Sequence, residues 1–313
     1  HRALECADCA LQNAAFLPIV EDVRRFIDEK QISIYDEESG SGLLRHIYLR
    51  VGEATGDVML CLVLHGTALP HADEFAARIS ERFPAIKSLF LNFNEADTNV
   101  VLGDRFVLLA GKPYIEDMLC GVRLRITPQS FYQVNRGAAE LLYKKAAELA
   151  ALTGRETLLD LYCGIGSIGL SMARHAKRLI GIETVAPAVE CAKENAAQNG
   201  IANAAFYCGD AADTEKLLQA ARDVEGDFRP DVVILDPPRK GCSERLLADL
   251  GKLDASKIVY ISCNPETLAR DAKFLTVNGW DMGTVYPFDL FCRTGHVETV
   301  VLFSRQNHRL KRL

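Results

Sequence analysis

Apolar side chains along the first third of the chain change their spacing several times. Leu11, Phe16, Ile19, Val23 and Phe26 recur at helical intervals between charged positions, which predicts a helix over 11–30. A polar, glycine- and serine-rich stretch follows at 36–42. Apolar runs at 43–51 and 57–64 then predict two strands joined by a turn at 53–56. An amphipathic stretch over 71–83 predicts a second helix, with further strands near 86–93, 105–110 and 122–126. Residues 1–126 therefore read as an α+β domain with several neighbouring strands and little sign of parallel winding.

From 127 onward the pattern alternates. A helix at 137–152 leads into short apolar strands at 157–162, 179–183, 205–208, 231–235, 257–262, 280–286 and 297–303, with helices between the first six. This predicts an α/β, Rossmann-like, doubly wound and mostly parallel sheet of seven strands over 127–313. The loop between the last two strands is short, so they are expected to form an antiparallel hairpin. No internal repeat or low-complexity segment is visible.

Composition narrows the class. At 313 residues, 49% hydrophobic and 25% charged, the chain can bury a sizeable core. No apolar run approaches the roughly 20 residues of a membrane span, and no secretory signal is visible at the start. The sequence opens on His1 without methionine, which suggests that it begins partway into a longer product. A net charge of -6 argues against a wholly basic nucleic-acid surface but leaves room for a local one, near Arg239, Lys240, Arg270 and Arg293 or on the tail Arg309, Lys311 and Arg312. The 10 cysteines are scattered through predicted elements, which fits reduced cytoplasmic thiols better than a disulfide scaffold. Cys61, Cys191 and Cys208 are expected to be packing thiols.

In such a sheet a ligand sits beyond the carboxyl ends of the strands. The first strand of the alternating region ends in Asp160-Leu161-Tyr162-Cys163-Gly164-Ile165-Gly166-Ser167, where the glycines allow a tight turn and the next helix aims its amides at a bound group. Gly164, Gly166 and Gly169 also match a dinucleotide-binding pattern, so a nicotinamide site has to be weighed. Two features favour S-adenosylmethionine. Asp160 can face a cationic amino-acid portion, and the fourth strand of the region ends in the rigid, carboxylate-bearing Asp236-Pro237-Pro238-Arg239. Glu183, closing the second, is placed to accept hydrogen bonds from ribose hydroxyls. The fifth ends in Ser262-Cys263-Asn264-Pro265, so Cys263 lies over the crevice.

Together, the segments 160–164, Asp236-Pro237-Pro238-Arg239-Lys240-Gly241, the run from Ser262 to Asp271 and Gly295-His296-Val297-Glu298 resemble the RNA uracil-C5 methyltransferase family. Ser130-Phe131-Tyr132-Gln133-Val134-Asn135 looks like its cofactor-contacting segment, and Gly42-Leu43-Leu44-Arg45-His46 resembles the central domain of its bacterial 23S rRNA members. The resemblance covers essentially the whole chain. It implies that Gln133, Tyr162, Gly164, Glu183 and Asp236 contact S-adenosylmethionine, that Cys263 is the nucleophile and that Glu298 is the proton acceptor. A site cation would favour the Cys263 thiolate, with Arg239, Arg270 and His296 as candidates. Residues 1–126 would then be a central, RNA-recognition domain and 127–313 the methyltransferase domain. The implied partner is RNA, 23S rRNA before tRNA, with no membrane and the chain acting as a monomer. A uridine would be swung out of its loop into a pocket that includes Pro237 and Pro238. Two departures stand out. The family's N-terminal RNA-binding barrel and upstream cysteine run are missing, so no iron–sulfur cluster is expected here; Cys9, which resembles the remaining ligand, and Cys6 make only a pair. Cys292 stands where relatives more often have proline.

Overall fold

The computed structural model describes residues 9–306, in which the chain divides into two compact units. One contains the chain up to Asp117 and Ile126–Gln129; the other contains Met118–Arg125 and everything from Ser130 on. Cys6 and the basic tail Arg309, Lys311 and Arg312 lie outside the described residues.

The first unit opens with helix α1 (Phe16–Glu29). It starts at Phe16 rather than at 11 because Pro18 is harmless only in a first turn; deeper inside, it lacks a donor and clashes with the preceding turn. Strands β1 (Leu44–Val51) and β2 (Val58–Leu64), helix α2 (Ala72–Arg82), and strands β3 (Ile86–Phe93) and β4 (Arg105–Gly111) follow. The sheet order is β1-β2-β3-β4. Contrary to the expectation of little parallel winding, β2 and β3 pair parallel, with α2 as the crossover. The run Val58-Met59-Leu60-Cys61-Leu62-Val63-Leu64 carries the reason: every position is buried, as in a strand covered on both faces. Phe26 of α1 and Phe75 of α2 meet with ring centroids 5.0 Å apart in this core.

Strand β5 (Ile115–Leu119) was not foreseen; it forms a two-stranded sheet with β6 (Val122–Ile126). Its apolar alternation is broken by Asp117, which is fully buried and accepts the Ala54 amide at 2.8 Å. Cys120 and Gly121 turn the chain with φ of 49° and 77°, the left-handed pair a two-residue hairpin requires.

In the second unit, α3 (Arg136–Ala150) precedes β7 (Thr157–Leu161), α4 (Ser167–Met172), β8 (Arg178–Glu183), α5 (Ala186–Gln198) and β9 (Ala204–Cys208). Then come α6 (Thr214–Glu225), β10 (Val232–Leu235), α7 (Glu244–Lys252), β11 (Lys257–Ser262), α8 (Pro265–Val277), β12 (Trp280–Phe288) and β13 (Glu298–Arg305). The seven strands are ordered β12-β13-β11-β10-β7-β8-β9. Strands β7 to β11 run parallel, and β13 is antiparallel to both β11 and β12. This is the doubly wound sheet with a closing antiparallel hairpin that the pattern predicted. Cys61 and Cys191 are buried, whereas Cys208, at the end of β9, is exposed and does not pack in the core. Winding proceeds outward from β7 on one side and from β10 on the other, so the crevice opens over the carboxyl ends of these two strands. No helix among the described residues is long and apolar enough to cross a membrane.

Candidate active site

Strand register places one side chain from each central strand at this edge. The β7–β8 ladder ends at Leu161↔Ile182, so Tyr162 and Glu183 come next. The β10–β7 ladder ends at Leu235↔Leu161, which puts Asp236 beside Tyr162. The β11–β13 ladder ends at Ser262↔Thr299, and one step beyond it stand Cys263 and Glu298. These residues, with Gln133 and Gly164, line one cavity of about 650 Å³, within the roughly 300–1,000 Å³ of small-molecule sites. Pro237, Pro238, Arg239 and His296 line it too. So do Lys240, already named for a local basic patch, and Asp210, Ser243 and Phe291, which sequence reasoning missed. Asp210 had a readable signal, since it follows the carboxyl end of β9 just as Glu183 closes β8.

The loop after β7 turns through left-handed backbone at Tyr162, Gly164 and Gly166, with φ of 64°, 54° and 81°. Glu183 braces it: one carboxylate oxygen accepts the Gly164 amide at 3.1 Å, and the other accepts the Val185 amide at 2.9 Å. Asp160 corrects an expectation. It lies fully buried beneath the loop, where it accepts the Gly169 amide at 2.9 Å, and it is not a wall of the cavity. That amide of the short α4 is therefore already taken.

Cys263 is held by its neighbours. The Ser262 hydroxyl accepts the Asn264 amide at 3.1 Å, Asn264 caps α8 by accepting the Glu266 amide at 3.0 Å, and the Thr299 hydroxyl donates to the Ser262 carbonyl at 3.2 Å. Of the cysteines flanking the crevice, Cys263 is half-buried and faces the cavity, whereas Cys163 is buried and its thiol is pushed well above the ordinary range by that burial.

Negative charge dominates the site. Burial, then Glu298 and Asp160, push the Asp236 carboxyl up to about 8. Burial, opposed by the Gly169 amide, takes Asp160 to about 7, and its Oδ1 has no hydrogen-bond partner. Burial raises Glu298, against the pull of Arg239. Burial, Glu298 and Asp236 likewise raise the Cys263 thiol, and Arg239 opposes them. Among the candidate cations, Arg239 thus acts on both groups. Its Nη2 lies 3.0 Å from Nδ1 of His296; a guanidinium only donates, so that ring nitrogen accepts. Arg270 does not line the cavity and is turned onto Asp271 at 2.7 Å. Cys9 is half-buried, and no cluster among the described residues has three or more side chains able to hold a metal.

A cationic occupant would offset the burial of the carboxyl groups lining the cavity and favour their ionised form. S-adenosylmethionine, with an ammonium and a sulfonium, fits that donor set. A nicotinamide dinucleotide would bring a pyrophosphate anion against it.

The fold is that of Rossmann-like methyltransferases. A family model described as tRNA (uracil-5-)-methyltransferase matches residues 105–306. An uncharacterised RNA methyltransferase of Halalkalibacterium halodurans is 40% identical over 309 residues, covering 98% of this chain and 66% of its own. One from Staphylococcus aureus is 41% identical over 304 residues, covering 97% and 66%. The chain therefore spans 66% of the length of these curated relatives. The crystal structure of Pyrococcus abyssi tRNA (uracil-54, C5)-methyltransferase in complex with S-adenosyl-L-homocysteine matches with a TM-score of 0.79 at 29% identity, over 96% of this chain and 70% of that one. The chain belongs to the tRNA (uracil-5-)-methyltransferase family.

Proposed function

We propose that this protein transfers a methyl group from S-adenosylmethionine to carbon 5 of a uridine in RNA, through a covalent bond from Cys263 to carbon 6. One observation carries the reading: the β11–β13 register sets Cys263 beside Glu298 at the wall of an acid-lined cavity.

Gln133, Tyr162, Gly164, Glu183 and Asp236 would hold the donor, which supplies an electrophilic methyl on positively charged sulfur when bound. Carbon 5 of uracil is a weak nucleophile. Addition of the Cys263 thiolate to carbon 6 pushes electron density onto carbon 5 and activates it. Once carbon 5 carries the methyl, Glu298 takes its remaining proton. The electron pair left behind forms the carbon 5–carbon 6 double bond, the sulfur–carbon bond breaks, and Cys263 leaves as thiolate. A carboxylate with a raised pKa is a better base for this step than an ordinary one. Arg239 offsets the carboxylates that oppose thiolate formation.

The RNA proposed is 23S rRNA, on the resemblance of Gly42–His46 and Ser130–Asn135 to rRNA-modifying members, with the chain working as a cytoplasmic monomer and residues 1–126 recognising RNA. A second reading, tRNA T-loop methylation, is favoured by the tRNA substrate of the Pyrococcus abyssi relative. Incubating the protein with S-adenosylmethionine and unmodified transcripts of each RNA, followed by nucleoside mass spectrometry, separates the two. The first reading predicts 5-methyluridine in rRNA, the second in tRNA; none in either contradicts both.

A further inference from the structure

We propose that Arg270 and Asp271 are positioning residues: together they clamp loop 239–243 onto α8 and thereby hold Arg239 at the cavity. The kinetic half of this inference rests on the roles given above to Cys263 and Glu298; the structural half does not.

Asp271 is fully buried, and both its oxygens are saturated. Oδ1 accepts from Arg270 Nε at 2.8 Å and forms an ion pair with Nη2 at 2.7 Å. Oδ2 accepts the Cys242 amide at 2.8 Å and the Tyr260 hydroxyl at 2.7 Å. Arg270 Nη2 also reaches the carbonyls of Lys240 at 2.9 Å and Cys242 at 3.1 Å. The carbonyl of Arg239 accepts from Asn264 Nδ2 and the Thr267 hydroxyl, each at 3.2 Å. Between these anchors Gly241 has φ of 73°, and a Cβ there would stand 2.6 Å from Arg270 Nη2 and 2.7 Å from Asp271 Oδ2. Only glycine closes the clamp. The Arg270 side chain is 57% exposed, so it is free of core packing. A planar fork that bridges a carboxylate and two carbonyls is a task lysine cannot copy.

The test uses the whole chain with Arg270→Ala, Arg270→Lys, Gly241→Ala, Arg239→Ala and the Arg239→Ala/Arg270→Ala double variant. Hydrogen exchange at the Cys242 amide should accelerate about tenfold or more in Arg270→Ala and Gly241→Ala, and less in Arg270→Lys. S-adenosylhomocysteine affinity should stay within about twofold, while trapping of 5-fluorouridine RNA slows by about tenfold to a hundredfold. Because Arg270 acts through Arg239, the double variant should trap no more slowly than Arg239→Ala alone. Unchanged exchange at Cys242, or fully additive losses in the double variant, overturns the proposal. If the unaltered protein traps no RNA, the methylation reading fails, and the exchange data alone decide whether the clamp exists.

Discussion

Ser262 and Thr299 are the last pair of the β11–β13 ladder, and the Thr299 hydroxyl donates to the Ser262 carbonyl at 3.2 Å. One step past this pair the β11–β13 ladder stops, and Cys263 and Glu298, the latter still in register with Phe288 of β12, line the cavity. The proposed nucleophile and the proposed base are thus brought side by side by sheet register.

Glu298→Gln keeps the shape of the site but removes the proposed base. Thiolate addition should survive while release of the methylated product slows by about a hundredfold to ten-thousandfold. A covalent protein–RNA complex should therefore accumulate on ordinary uridine RNA, visible as a shifted band on denaturing gels. Free turnover with no accumulated complex would remove Glu298 from the mechanism.

The pH profile should lean alkaline. In the proposed mechanism Cys263 and Glu298 must both be ionised, and both are raised, first by burial. The value of kcat/KM should therefore still be climbing above neutral pH. Arg239→Ala removes the cation opposing both shifts and should move the rise to still higher pH. A shift to lower pH would contradict the electrostatic account.

Asp160 makes a stability prediction. Its folded carboxyl titrates at about 7 against 3.8 in the unfolded chain, so between those values the folded state holds a proton that the unfolded state has lost. Stability is fully present below 3.8 and is lost as pH rises through about 7, jointly with the coupled Asp236. At about pH 8 the cost is on the order of a few kcal/mol. Asp160→Asn should therefore raise the melting temperature of the ligand-free protein at that pH by several degrees, and have little effect near about pH 4. Calorimetry at the two pH values checks the sign.

Much of this was legible in the chain. Alternating apolar runs marked the strands of the large sheet to within a residue or two, because buried parallel strands leave little room for polar side chains. The cavity walls were legible for a related reason: Tyr162, Glu183, Asp236 and Cys263 stand where strands end. What hid was anything decided by side-chain direction or by polar burial. Asp117 masked β5, Asp160 turned beneath the glycine loop instead of into the cavity, and Arg270 chose Asp271 over the site. The parallel pairing of β2 and β3 was written in seven consecutive apolar residues but needed the crossover helix to be recognised as such.

Glu183→Ala should weaken S-adenosylhomocysteine binding by more than about tenfold, since it removes both a wall of the cavity and the brace on Gly164. RNA affinity measured without cofactor should hardly change. Equal losses of both would point to a collapsed loop rather than a cofactor contact.

The most direct test of the central claim is to incubate the protein with S-adenosylmethionine and 5-fluorouridine RNA, digest it, and sequence the cross-linked peptide by mass spectrometry. The account predicts one adduct, on the peptide containing Cys263, that is absent from Cys263→Ala while that variant still binds S-adenosylhomocysteine. An adduct on another residue, or one that persists in Cys263→Ala, would contradict it.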